Sequence, residues 1–250
     1  MFDTPIKFQV GFFASASDIA PDSKVVFKII SEISEKTNLN FVPTLLTEFG
    51  GTGVAKRLRL VANSDTWLVA FGYSRIDVEH QHSLGAVGTD VSDFKDFCKI
   101  ASDVLEVVTN NTPRLASRVS FIATYLSSEI GISELNAAYL ATVKPMPLFS
   151  DKEPFEWNVR SVYNAPLPSD DEEKLNIIAE IKRVQGQMQI NKKQKEFDRL
   201  CLTVDINTVA ENPLQRFTTA DTFRICGDIL PIHDQIHQQA SSSVSGQTTP

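Results

Sequence analysis

The 250-residue sequence predicts an α+β fold, a mostly antiparallel sheet covered by long amphipathic helices. Three observations predict it. Leu200, Leu202, Val204 and Ile206 alternate with Cys201, Thr203, Asp205 and Asn207, a period of two that gives a strand one apolar and one mostly polar face. Phe94, Phe97, Cys98, Ala101, Val104, Leu105 and Val108 recur at three- and four-residue steps, the stripe of an amphipathic helix. The strand-like runs between residues 55 and 82 are separated by turns too short for a parallel crossover, so neighbours are antiparallel.

In chain order, Ile6 to Ala14 reads as a first strand with Phe8, Val10 and Phe12 on one face. Pro21 and Asp22 open a helix whose Val25, Val26, Ile29, Ile30 and Ile33 fall at helical spacing, and Thr37-Asn38 ends it. Phe41 to Thr47 is extended but carries Pro43, which cannot donate to a ladder and so marks an edge segment. The cluster Gly50-Gly-Thr-Gly53 makes a loop. Ala55 to Ala62, Thr66 to Phe71 and Arg75 to His82 form a meander, with a turn at Asn63-Ser-Asp65.

Ser92 is the expected N-cap of the helix that begins at Phe94. Arg118 to Leu126 is a strand, Ile132 to Val143 a helix and Pro154 to Tyr163 a strand. Glu173 to Ile190 reads as a strand through Leu175, Ile177, Ala179 and Ile181, although Leu175, Ile178, Lys182 and Gln185 also suit a helix. A last helix runs from Phe217 to His237. Residues 1–238 are then one α+β domain, and the polar run from Gln239 to Pro250 a flexible tail.

Composition narrows the classes of function. The net charge of −7 argues against a dedicated nucleic-acid binder. Three widely spaced cysteines, Cys98, Cys201 and Cys226, form no closed disulfide framework and fit reduced, buried thiols in a cytoplasmic protein. No apolar run reaches membrane-spanning length and the first residues lack a signal-peptide pattern, so no membrane partner is expected.

The chemistry-bearing patterns are short. His233-Asp-Gln-Ile-His237 places two imidazoles one helical turn apart, as in zinc sites, but Phe223, Cys226 and Leu230 continue the same stripe, so packing competes with chelation. Asp77-Val-Glu79 and His80-Gln-His82 offer pairs that bind a metal or activate water in other proteins, and Glu180-Ile-Lys182 adds the acid-x-lysine element of some nucleases, in which carboxylates hold magnesium beside a lysine; on a sheet face such charges more often form cross-strand pairs. Gly50-Gly-Thr-Gly-Val-Ala-Lys56 lacks the spacing of a phosphate loop. Lys56, Arg57, Arg59 and Arg75, with Trp67 and Tyr73 nearby, make a candidate binding patch; it suits a polyanion such as nucleic acid less than a protein, because Asp65, Asp77 and Glu79 dilute its charge. No catalytic residue, metal ligand or cofactor is assigned.

The order of elements, with the Leu202-Thr-Val-Asp205-Ile206 strand ahead of the final helix, resembles a family of sporadically distributed bacterial proteins of about this length. Where that family has an Arg-Tyr-Ile-Asn-like strand, this chain has Ser120-Phe-Ile-Ala-Thr-Tyr125. The outline is also similar to SecB-type chaperones. The resemblance implies an accessory role such as phage defence or toxin control. The expected function is therefore a non-enzymatic protein-binding component, chaperone-like or part of a phage-defence or toxin-control system, with a protein partner and room for homo-oligomerisation. The alternative is a metal-dependent hydrolase or nuclease subunit.

Overall fold

The computed structural model describes residues 1–50, 53–62, 66–81, 93–143, 154–190 and 193–244. The strands are β1 (Thr4–Phe12), β2 (Val42–Gly50), β3 (Gly53–Ala62), β4 (Trp67–Phe71), β5 (Ile76–Gln81), β6 (Val119–Leu126), β7 (Asn158–Leu167), β8 (Asp170–Ile190) and β9 (Lys193–Thr208). The helices are α1 (Lys24–Thr37), α2 (Phe94–Asn111), α3 (Ile132–Thr142) and α4 (Thr219–Val244). All nine strands form one antiparallel sheet in the order β2-β3-β4-β5-β1-β6-β9-β8-β7.

That order contains a repeat which residue patterns alone do not reveal. A strand (β1), a helix (α1), a meander (β2 to β5) returning beside the first strand, and a long helix (α2) make the first half. The second half does the same with β6, α3, β7 to β9 and α4. The halves join where β1 and β6 pair, Phe8 opposite Ala123, Val10 opposite Phe121 and Phe12 opposite Val119.

Alternation in the central strands decides where the core sits. Phe8, Val10, Phe12, Ile76, Val78, Val119, Phe121 and Ala123 are all buried on one parity. Their face meets α2, whose Phe94 and Phe97 rings lie 5.3 and 5.6 Å from Phe8. Helix α2 contacts α1 and α4, and α4 contacts β9. Asn38 ends α1 in the left-handed region at φ 60°, which asparagine tolerates.

Several expectations are corrected. The N-cap of α2 is Asp93, whose carboxylate accepts the Asp96 amide at 2.8 Å; Ser92 lies outside the described residues. The turn at 63–65 and His82 also lie outside them. The helix begun at Thr219 does not stop at His237. It continues to Val244 through Pro231, with Ala240 and Val244 buried, so residues 239–244 are not a tail. A capping box starts it, the Thr218 hydroxyl accepting the Asp221 amide while the Asp221 carboxylate accepts the Thr218 amide. Burial of two small apolar residues on the inward stripe outweighs the polar composition around them. No described helix is long and apolar enough to cross a membrane.

Candidate functional site

The expected binding residues divide between two faces of the sheet. Arg57 and Arg59 oppose Leu46 and Thr44 across the β2–β3 ladder. Arg57 pairs with Glu48 at 2.9 Å and lies 5.9 Å from the Tyr73 ring; the Arg59 Nε donates to the Thr44 hydroxyl at 3.1 Å. At this end of the sheet Val42 and Tyr73 lie on the face of Arg57 and Arg59, and Leu45 and Val54 on the opposite one, each between 52 and 66% exposed. Trp67 does not join them. It has the opposite parity, is 5% exposed, and stacks between His80 at 4.4 Å and Phe97 at 5.7 Å. An indole placed on the apolar parity of a central strand belongs to the core.

Arg75 belongs to a third environment, the polar parity of the central strands. Its Nε meets Asp77 Oδ2 at 2.7 Å, and Gln9 Nε2 donates to the other Asp77 oxygen at 2.8 Å. Burial pushes the Asp77 carboxyl up, with Arg75 and then Gln9 pulling it down. Glu79 is held by Lys7 at 3.1 Å and Gln81 at 2.8 Å. Gly11 lies between Asp77 and Ser120 in the ladder, and a Cβ there would come within 2.6 Å of the Ser120 hydroxyl, so a larger residue would force that side chain to move. Glu180 pairs with Lys182 on β8. Strand β8 is four strand spacings from β5, roughly 19 Å, so these groups and Asp77–Glu79 do not converge on one ion.

The two histidines of α4 enter a cavity of about 540 Å³ at the end of the sheet where β1 begins. Phe2, Phe8, Phe94 and Tyr125 supply its apolar walls; Asp3, Asp93, Lys95 and Asp234 also line it. His233 is 4% exposed and its ring lies 4.5 Å from that of Phe94. Burial holds its pKa below the ordinary value, Asp234 opposing, so the ring is neutral near pH 7. Its Nδ1 meets Asp234 Oδ1 at 3.0 Å and its Nε2 meets the Tyr125 hydroxyl at 2.9 Å. A carboxylate only accepts, so Nδ1 carries the hydrogen and the Tyr125 hydroxyl donates to Nε2. Burial also pushes the Tyr125 phenol well above its ordinary value. His237 Nε2 donates to the Phe2 carbonyl at 2.7 Å.

Both Nε2 atoms are thus engaged by protein groups, and the imidazoles stack 6.2 Å apart instead of converging. Among the described residues no three His, Cys, Asp or Glu side chains gather as a metal site. Sequence reading singled out the histidines but missed Tyr125 and Asp93. The signal for Tyr125 was its parity: it continues Val119, Phe121 and Ala123 on the core face, where a hydroxyl needs a partner.

No family model and no curated protein sequence matches the chain. Among solved structures, the di-domain ARO/CYC StfQ from the steffimycin biosynthetic pathway aligns over 97% of this chain and 98% of its own at 9% identity. The TM-score of 0.20 carries no argument about fold or activity.

Proposed function

We propose that this protein is a non-enzymatic, cytoplasmic protein-binding component that receives its partner at the β2 end of the sheet. The setting is the chaperone-like, defence or toxin-control role implied by the resemblance. The observation that carries the reading is that Val42 and Tyr73 stand exposed on the face of Arg57 and Arg59, with Leu45 and Val54 exposed on the other face of the same end of the sheet. Aliphatic side chains beside a tyrosine and arginines match the composition of protein interfaces. Strand β2 is also an edge, and its outer backbone groups can take an added strand from a partner. On this reading the amphipathic helices cover one face of the sheet and leave recognition to the edge and the other face.

The test is capture from the native host with tagged protein. Leu45→Lys combined with Arg57→Glu and Arg59→Glu should abolish recovery of the wild-type partner without changing the melting temperature. Unchanged recovery overturns the site. Divalent-metal-dependent cleavage of nucleic acid, abolished by Asp77→Asn, overturns the non-enzymatic reading.

A further inference from the structure

We propose that the cavity between the start of β1, the first turn of α2 and α4 binds an organic ammonium group carried on an apolar stem. The site is independent of the β2 edge. Its polar atoms are nearly all acceptors. The Tyr125 hydroxyl spends its hydrogen on His233, which leaves the phenol oxygen only lone pairs for a ligand. Asp93, Asp234 and Asp3 are each engaged through Oδ1, by the Asp96 amide, His233 and the Thr4 hydroxyl respectively. Among the described residues, Lys95 is the one cationic side chain on the wall.

The aromatic walls favour the same ligand. Phe2, Phe8, Phe94 and Tyr125, each at most 7% exposed, give the stem an apolar floor, while Asp3, Asp93 and Asp234 stand exposed for the charged end. An anion would be drawn to the start of α2, but Asp93 already caps that end and brings its own negative charge. A cavity of about 540 Å³ is in the ordinary range for small-ligand sites and far larger than a bare ion needs. The fitting ligand is an alkylammonium, either a free amine or the side chain of a lysine presented by a peptide.

Titration followed by the NMR signals of Tyr125 and His233 tests this with three probes of equal chain length: n-hexylammonium, n-hexanol and n-hexanoate. The ammonium should bind tightest and weaken as salt is raised. Asp93→Asn with Asp234→Asn preserves both the helix cap and the acceptor for His233, and should weaken ammonium binding about tenfold, the size of a lost charge-assisted contact. Lys95→Gln should tighten it, and Asp171→Asn, distant on β8, should leave it unchanged. A lysine-containing peptide binding more tightly than hexylammonium identifies the peptide side chain as the source; the reverse order identifies a free amine. Hexanol or hexanoate binding as well as the ammonium overturns the proposal, as does an unaltered affinity in both the double variant and Lys95→Gln.

Discussion

At the scale of single residues, the Tyr125–His233–Asp234 chain makes the clearest claims. Tyr125→Phe leaves a buried imidazole nitrogen without its donor, which should cost about 1–3 kcal/mol in denaturant unfolding. His233 also sets a pH dependence. Its folded pKa lies below its unfolded value, so the folded state binds fewer protons; stability is full above about pH 6.5 and declines as pH falls toward the depressed folded pKa. Urea midpoints at pH 7.5 and pH 5 should differ in wild type, and the difference should shrink in His233→Gln. The histidine spacing was legible in the sequence, but its meaning was not. Which nitrogen is free depends on Phe2 and Tyr125, brought from elsewhere in the chain by β1 and β6, and no local pattern encodes that meeting. The cysteines read more simply: all three are free and buried, and burial raises the Cys98 thiol well above its usual range, with Cys226 as its neighbour.

At the scale of elements, β8 and β9 extend beyond the sheet they belong to. The β7 ladder ends at Lys182 and the β6 ladder at Cys201, while β8 and β9 continue paired to Ile190 and Lys193. A two-stranded ribbon is marginal by itself, and its base is secured by side chains. Arg183 Nε donates to Asp198 at 2.9 Å, and Phe197 lies over Gly186, where a Cβ would come within 2.8 Å of the ring. The aromatic ring covers backbone that glycine leaves bare. Phe197→Ala should therefore speed amide exchange across residues 184–199 and leave β6 protected, as hydrogen-exchange mass spectrometry would detect. The strand assignment of β8 followed from the alternation of Leu175, Ile177 and Ile181. Pro43 likewise identified β2 as an edge. The end of α4 was not legible, because Ala240 and Val244 are too sparse among serines and glutamines to form a pattern until packed. Removing everything beyond Gln238 should cost about 2 kcal/mol in a thermal or urea melt, mainly through the lost burial of Val244.

At the scale of the whole molecule, the antiparallel sheet was readable because its turns are short, whereas the two-part repeat was not. Its halves share topology without sharing residues: β1 places Phe8 and Val10 where β6 has Phe121 and Ala123, and the first meander has one strand more than the second. The requirement common to both is a first strand apolar on one parity, which the meander must return to pair. Many sequences satisfy that condition.

The seam between β1 and β6 has a consequence for how the chain is made. Synthesis delivers β1 through α2 before any of β6 emerges, and N-terminal units form first. During that interval β5 can satisfy one side of β1 while the other stays open, an adhesive border of Phe8, Val10 and Phe12. Because β1 and β6 run antiparallel, a second nascent copy can offer its own β1 in place of β6 and close the gap about a two-fold axis. A fragment ending at Pro113 should accordingly elute as a dimer in size-exclusion chromatography with light scattering, and Val10→Lys should return it to monomer. In the finished protein that border is the middle of the sheet, so the stickiest line of the nascent chain becomes its best-protected one.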